Sequence, residues 1–253
     1  MGHNLLQHQN LFSDKSEIYL NARPRYPEKL YSILVDLCEN HERVWDAACG
    51  NGQASIDLAN HFTKVLATDI SNQQIANAIA HPKVEYSVQP SESTNFKESS
   101  FDLVCVAQAL HWFDFEKFWP EVHRVLKPNG IFAAWGYSWF KILGEIDAII
   151  EQAFMKKLEP YWAKQNQLLW DHYIDVPFPF LPQNMPPIEM SMYWDLNELF
   201  AYLHSWSATR RCMAAQGDAF FVDSYEKVAE VWGQPDQKRK VVMDFCVMAG
   251  RFV

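Results

Sequence analysis

The 253-residue sequence lacks the features that mark several common classes of protein. No apolar run approaches the roughly 20 residues of a membrane helix, and the first residues contain no apolar segment typical of a secretory signal. The five cysteines are odd in number and form no C-x-x-C pair, which favours buried thiols over a disulfide framework. We therefore expect a cytoplasmic protein in a reducing compartment, without a membrane partner.

Positive charge is also scarce. The sequence has 22 Lys and Arg residues against 31 Asp and Glu residues, which gives a formal net charge of -9. Binding to nucleic acid relies on neutralising phosphates with Lys and Arg, so no nucleic-acid partner is expected. The nine histidines form neither H-x-H nor H-E-x-x-H spacing, so no metal site is predicted.

The first half of the chain alternates between strand-like and helix-like segments. Strands are predicted at 43–48, 64–70, 83–88, 101–108 and 130–136, helices at 52–62, after Ser71 and from Asp114 to Leu126, and a turn at 127–130. Strands that alternate with helices indicate an α/β fold, in which a parallel sheet carries helices on both faces.

The second half is less regular. An amphipathic helix is predicted from Ile142 to Phe154, with an extension to about Leu169. Five prolines in "VPFPFLPQNMPP" exclude a regular element there. Two late strands, "IEMSMYW" and "KVVMDFCVMAG", are predicted with helices near 196–204 and 225–231 between them. We expect one domain, with a cofactor-binding core at about 12–138, a helical substrate-cap insertion at 139–187 and a C-terminal part at 188–253 that completes the sheet.

A glycine turn follows the first predicted strand. Gly50 and Gly52 would let a ligand approach the backbone, next to the free N–H groups of a helix N-terminus. Asp69 ends the second strand, where a carboxylate can accept hydrogen bonds from both hydroxyls of a ribose. This geometry predicts a nucleoside-containing ligand. A dinucleotide turn would carry a third glycine in G-x-G-x-x-G, but Ser55 stands there.

Four segments together resemble the class I S-adenosylmethionine-dependent methyltransferases, and among them the group that includes trans-aconitate methyltransferase. They are "YLNARPRYP" (19–27), "DAACGNGQA" (46–54), "SFDLVCVAQALHWFD" (100–114) and "HRVLKPNGIFAAWG" (123–136). The resemblance covers about residues 12–140. It implies a Rossmann-like, seven-stranded, mostly parallel sheet whose last strand is antiparallel. It also implies S-adenosylmethionine as cofactor and methyl transfer to a small molecule. The acceptor atom is expected to be an oxygen, with a carboxylate as one candidate.

The resemblance also implies the cofactor contacts. These are Asp46 near the methionine amino group, Ala48, Gly50 and Gly52 beside the methionine skeleton, Asp69 at the ribose, Ile70 as a further cofactor contact, Ser91 and Glu92 near the adenine, backbone carbonyls of Ala107 and Gln108 at the ammonium, and Tyr19 and Arg23 in a lid over the cofactor. In this sequence Ala48 replaces the first glycine of the turn, and Pro90 replaces a frequent acid before the adenine loop.

Candidate acceptor-side residues follow the fourth strand. His111 could act as a base or as a hydrogen-bond donor to an acceptor carboxylate, and the alternative is a structural histidine. Trp112 faces either the acceptor cavity or the core. Trp135, Tyr137 and Trp206 are candidates for an aromatic cavity wall, with core packing as the alternative for each of them.

Two other functions remain open from the sequence. The first is a nicotinamide-dependent oxidoreductase on a similar sheet, which the missing third glycine disfavours. The second is a non-catalytic module that binds S-adenosylmethionine, which no residue excludes.

Overall fold

A computed structural model describes residues 23–253, which form two compact units. The larger unit comprises Arg25–Ser138, Gln165–Glu189 and Phe245–Val253. The second unit contains, among the described residues, 23–24, Trp139–Lys164 and Met190–Asp244. The predicted division of the chain at 139–187 and 188–253 stays a prediction.

The strands form one mixed sheet. They are β1 (Arg43–Ala47), β2 (Lys64–Asp69), β3 (Val84–Val88), β4 (Phe101–Ala107), β5 (Leu126–Lys141), β6 (Leu181–Pro182), β7 (Met190–Trp194) and β8 (Arg239–Arg251). Their order is β3-β2-β1-β4-β5-β8-β6, and β7 also pairs with β8. Neighbours from β3 to β5 are parallel, whereas β6 and β7 are antiparallel to β8. The predicted Rossmann-like mixed sheet is confirmed, and the two-residue β6 adds to the seven expected strands.

Helices connect the strands of the larger unit. They are α1 (Glu28–Leu37), α2 (Gln53–Leu58), α3 (Asn72–Ala76), α4 (Phe115–Val125) and α7 (Asn166–Trp170), with a 3₁₀ turn at Leu110–Trp112. The second unit contains α5 (Gly144–Ile150), a π-helical segment (Glu151–Met155), α6 (Lys156–Leu158), α8 (Leu196–His204), α9 (Ser207–Gln216) and α10 (Ala219–Trp232).

The central strands are buried because apolar side chains face both sides of the sheet, as expected for parallel strands. Residues 103–106 of β4 have no exposed surface. In β1, the fully buried Trp45 ring packs against Phe96 and Phe101, and its Nε1 donates to Thr68 Oγ1 at 2.9 Å. The strand order reverses between β1 and β4, so a ligand crevice is expected at the carboxyl ends of these two strands.

Local capping chemistry fixes several helix starts. Ser71 Oγ accepts from the backbone N–H of Gln74 at the start of α3, and Asp114 accepts from that of Glu116 at the start of α4, which confirms both predicted caps. In the second unit, Asp195 and Glu198 form a capping box at the start of α8.

Three segments differ from the sequence prediction. The helix expected at 52–62 is shorter, because α2 ends at Leu58. The turn expected at 127–130 lies within β5, where Asn129 has a φ of 63° and the pairing with β4 shifts in register. The helix α9 was not predicted, because "SATRRCMAAQ" has little apolar periodicity.

No described helix is long and apolar enough to cross a membrane. Within residues 23–253, no group of three or more His, Cys, Asp or Glu side chains is placed to hold a metal ion.

Candidate cofactor and acceptor site

The turn after β1 contains three left-handed residues. Ala48, Gly50 and Gly52 have φ values of 55°, 56° and 88°. The backbone N–H of Cys49 donates to Thr68 O at 2.9 Å, which ties the turn to β2. Ala48 therefore adopts the backbone conformation that a glycine would take at the first position, at the cost of the strain that a side chain brings there.

The two glycines of this turn differ in their surroundings. A Cβ added to Gly52 would lie 2.1 Å from the Tyr86 hydroxyl oxygen and 2.7 Å from its Cζ. Among residues 23–253, a Cβ added to Gly50 would come near one atom, Gln74 Oε1, at 3.9 Å. Gly52 is thus required by packing against β3, whereas the side of Gly50 is open to a ligand.

Asp69 lies at the end of β2 and is 9% exposed. Its Oδ2 accepts from the backbone N–H of Gly50 at 2.9 Å, and its Oδ1 accepts from that of Ser71 at 2.8 Å. Each carboxylate oxygen can accept a second hydrogen bond. The carboxylate is therefore fixed by the backbone, and its remaining acceptor capacity matches two ribose hydroxyls.

Asp46, at the centre of β1, has no exposed surface. Its Oδ2 accepts from Ser55 Oγ at 2.5 Å, and Cys105 Sγ lies 3.9 Å from its Oδ1. Burial is the main cause that raises the pKa of Asp46 to about 7, and the nearby Asp69 carboxylate adds to the rise. Through its hydrogen bond with Ser55, Asp46 thus links the start of α2 to β1.

The predicted adenine-side residues surround the end of β2 and the loop after β3. The Ile70 side chain is 77% exposed, and Ser91 is buried. Glu92 Oε1 lies 3.4 Å from the backbone N of Asp114, which donates to it.

This loop is held by an ion pair on α4. Glu121 Oε1 accepts from both the backbone N–H and the hydroxyl of Thr94, at 2.8 and 2.5 Å. Arg124 donates to the carbonyl oxygen of Phe96 at 2.7 Å and to Glu121 at 2.6 Å. The pKa of Glu121 is lowered by the hydrogen bonds from Arg124 and Thr94, which outweigh the opposing effect of burial.

Ala107 and Gln108 are at the end of β4, where Gln108 has a φ of 59°. The side-chain Nε2 of Gln108 donates to Tyr137 O at 3.0 Å, and its Oε1 accepts from Tyr137 N at 3.2 Å. The Gln108 amide thereby extends the ladder between β4 and β5 by one residue. Both polar atoms of the Gln108 side chain are used in these sheet hydrogen bonds, so the predicted contact with the cofactor ammonium depends on the backbone carbonyl of Gln108.

His111 and Trp112 form the 3₁₀ turn that follows. His111 is 6% exposed, whereas Trp112 is 49% exposed. Trp112 therefore does not pack in the core, which was one of its two expected positions. His111 Nδ1 lies 3.3 Å from the Tyr173 hydroxyl, and burial lowers the pKa of His111 to about 4. The imidazole is therefore neutral near pH 7.

The predicted aromatic wall is buried. Trp135 has no exposed surface, and its ring packs edge-on against Tyr26 and Tyr31. Tyr137 is 5% exposed. In the second unit, Trp206 is 8% exposed and packs among Trp139, Phe140, Phe154, Trp162 and Tyr202. All three residues are buried, and their role as a cavity wall stays a prediction.

The "RPRYP" segment has a packing role that the sequence did not reveal. Arg25 forms an ion pair with Asp57 of α2, and Tyr31 of α1 also donates to Asp57 at 3.3 Å. Tyr26 is buried against Trp135. Arg23 is exposed, and Tyr19 lies outside the described residues.

A cavity of about 280 Å³ borders the segment after α7. It is lined by His172, Met185, Pro186, Pro187, Ile188, Phe245, Cys246 and Val247. No sequence motif had indicated these residues, because they come from irregular chain and from β8.

Comparisons with known proteins agree with this geometry. The profile of the methyltransferase domain family matches residues 45–134. The chain is 31% identical over 235 residues to a protein of Dictyostelium discoideum that is named as a methyltransferase, covering 91% of this chain and 89% of the relative. A Saccharomyces cerevisiae protein named as an S-adenosylmethionine-dependent methyltransferase is 27% identical over 132 residues, covering 49% of this chain and 45% of that protein.

Among solved structures, the chain is similar to a protein of Anaeromyxobacter dehalogenans described as a type II methyltransferase. The identity is 34%, the TM-score is 0.84, and the alignment covers 90% of this chain and 97% of the other. The glycine turn, its open side at Gly50 and the fixed Asp69 carboxylate suit the methionine and ribose parts of S-adenosylmethionine. The chain therefore belongs to the class I methyltransferase family, with S-adenosylmethionine as its cofactor.

Proposed function

We propose that this enzyme methylates an oxygen of a small molecule, and that the acceptor oxygen belongs to a carboxylate. The observation that carries the proposal is the neutral, buried His111 after β4, whose pKa is lowered to about 4. A carboxylate is already ionised at neutral pH, so its methylation releases no proton. An imidazole whose pKa is lowered to about 4 is a weak base, but its N–H can still donate a hydrogen bond, which suits an acceptor that is already an anion.

The resemblance to the group of trans-aconitate methyltransferase supports a carboxylate. The net charge of -9 disfavours a nucleic-acid acceptor. The nicotinamide-dependent oxidoreductase is set aside, because the chain belongs to a methyltransferase family. We further propose that Arg23 contacts the carboxylate of the methionine part of the cofactor, since a guanidinium can bind a carboxylate with two parallel hydrogen bonds.

The cofactor-binding roles are proposed from the contacts of the glycine turn and of the strand ends. We infer that Asp69 accepts from the ribose hydroxyls and that Ile70 and the loop of Ser91 and Glu92 surround the adenine. The open backbone at Gly50 adjoins the methionine part. Asp46 supports the turn through Ser55, since it has no exposed oxygen.

The main contribution of the protein to catalysis is to align the acceptor oxygen with the methyl group of the cofactor. S-adenosylmethionine would supply an activated methyl group; the bond from this methyl carbon to the acceptor oxygen would form as its bond to sulfur breaks, with the electron pair left on sulfur. Holding acceptor and donor in line supplies about 7–11 kcal/mol of the barrier reduction in well-oriented reactions. The half-exposed Trp112 ring provides a face that can attract a cationic sulfonium.

The proposal is tested with S-adenosylmethionine that carries a deuterated methyl group. The protein is incubated with separate panels of small carboxylic acids, including trans-aconitate, alcohols and thiols, and products are detected by mass spectrometry. Labelled methyl groups that alkaline hydrolysis releases as methanol identify esters, since methyl ethers and thioethers resist this treatment. Labelled ethers or thioethers without esters would contradict the carboxylate assignment, and cofactor binding without any product would favour the non-catalytic module.

Asp69→Asn provides the cofactor-site variant. It removes the charge that accepts from the ribose, so affinity for S-adenosylmethionine should fall roughly 10- to 100-fold by calorimetry. Asp223→Asn is the matched control, because Asp223 is exposed on α10 and pairs there with Lys227. Equal affinity in the two variants would refute the ribose assignment.

A further inference from the structure

The segment after α7 makes an unusual turn. His172 and Tyr173 have φ values of 53° and 59°, so two successive residues with side chains are left-handed. Such a conformation costs on the order of 1–3 kcal/mol per residue and persists only where the surroundings enforce it. Here the backbone N–H of Tyr173 donates to Leu168 O at 2.7 Å, and that of His172 donates to Leu169 O at 3.0 Å.

This turn directs the Tyr173 side chain inward, where it is 2% exposed. Its ring lies nearly parallel to the His111 ring, at 22° with centroids 6.3 Å apart. A Cβ added to Gly136 of β5 would lie 2.5 Å from Leu169 Cδ1 and 2.6 Å from Gln108 Oε1, and only at contact distance, 3.4 Å, from the Tyr173 hydroxyl oxygen. The strained turn therefore brings the buried hydroxyl of Tyr173 to His111.

The direction of this hydrogen bond follows from the acidities of the two groups. A phenol is a far stronger acid than the N–H of a neutral imidazole, and an imidazole nitrogen is a better acceptor than a phenol oxygen. The two groups are 3.3 Å apart, and these acidities favour the arrangement in which the Tyr173 hydroxyl donates to His111 Nδ1. In a neutral imidazole whose Nδ1 accepts, the proton is carried by Nε2.

We propose that Tyr173 is a positioning residue that holds His111 in the Nε2–H form, so that His111 donates a hydrogen bond to an anionic acceptor oxygen. This inference rests on the proposed function, and it names the class of acceptor: an oxyanion that is formed before binding, such as a carboxylate. An alcohol or a thiol would instead need an unprotonated Nε2 as its base.

The decisive measurement is the nitrogen NMR spectrum of histidine side chains in the full-length protein labelled with ¹⁵N-histidine. His111→Gln identifies the His111 signals by their loss. We expect an unprotonated Nδ1 and a protonated Nε2 at neutral pH. In Tyr173→Phe the ring remains but the donor is absent, so the Nδ1 signal should move downfield. A protonated Nδ1 in the unmodified protein, or an unchanged Nδ1 signal in Tyr173→Phe, would overturn the proposal.

Tyr225→Phe is the control variant, because it also removes a tyrosine hydroxyl from a protected position, there bonded to Asn197. It should leave the His111 signals unchanged, and a shift equal to that of Tyr173→Phe would mean that the response is a general effect of lost stability. Calorimetry with S-adenosylmethionine keeps the two proposals apart. Absence of binding by the unmodified protein would refute the proposed function, whereas the NMR signals report the imidazole form in either case.

Discussion

Alanine substitution of the two glycines after β1 should destabilise the fold to different extents. Both residues are left-handed, and alanine there costs about 1 kcal/mol. Gly52→Ala also places a methyl group 2.1 Å from the Tyr86 hydroxyl oxygen. Overpacking of this kind adds about 1–3 kcal/mol. The expected losses in the free energy of unfolding are therefore about 1 kcal/mol for Gly50→Ala and about 2–4 kcal/mol for Gly52→Ala.

Thermal unfolding without cofactor measures these losses. For a chain of this size, about 1 kcal/mol corresponds to about 2–4 °C in Tm, so Gly50→Ala should lose about 2–4 °C and Gly52→Ala about 4–16 °C. Removing the Tyr86 ring with Tyr86→Ala should recover part of the loss in the Gly52→Ala background, as a double-mutant cycle would show. Equal Tm losses for the two glycine variants would refute the assignment of Gly52 to packing.

Calorimetry with S-adenosylmethionine should show the complementary effect. The methyl group of Gly50→Ala points into space where the nearest described atom is 3.9 Å away, and where we place the methionine part of the cofactor. Affinity should therefore fall about tenfold or more while the fold is nearly retained. Unchanged affinity in Gly50→Ala would contradict the placement of the cofactor beside this residue.

Three further predictions follow from the same contacts. Ala48→Gly should raise Tm by about 1–4 °C, because it relieves a left-handed alanine; a decrease would mean that the methyl group packs favourably. Glu121→Gln should weaken S-adenosylmethionine binding with little change in Tm, because it loosens the loop of Thr94 that Arg124 and Glu121 hold; unchanged affinity would argue against this loop as an adenine contact. In the folded protein the pKa of His111 is about 4, below its ordinary 6.5, so its buried neutral form contributes stability that is lost as the pH falls from 6.5 towards 4. The free energy of unfolding of His111→Gln, measured in urea, should therefore depend less steeply on pH between 4 and 6.5 than that of the unmodified protein. Equal pH dependence in the two proteins would contradict the lowered pKa.

The elements on which the proposed cofactor site is built could be located in the sequence because they are local. A strand, a glycine turn and a strand-ending acid recur within a short stretch, and backbone geometry then sets their positions. The caps at Ser71 and Asp114 were predictable for the same reason, since each involves a hydrogen bond to a residue two or three positions later. The sequence could not predict that Gly52 is required by packing and Gly50 is not, because this difference depends on contact with Tyr86 of β3.

The acceptor half depends on contacts between distant segments. Tyr173 meets His111 across 62 residues of sequence, from a proline-rich region without periodicity. The roles of the tryptophans stay predictions for a related reason: composition indicates how many large aromatic rings there are but not which of them face a cavity. Trp135 is fully buried, whereas Trp112, on a short 3₁₀ turn, remains half-exposed.

The strained turn at His172 and Tyr173 indicates that Tyr173 does more than fill the core. A residue that only fills the core can be replaced by others of similar size, and it does not require a costly backbone. Here two left-handed residues place a buried hydroxyl beside one nitrogen of His111. That cost is best explained if the imidazole must present Nε2 in one defined form. The acceptor site should therefore be sought around His111 Nε2.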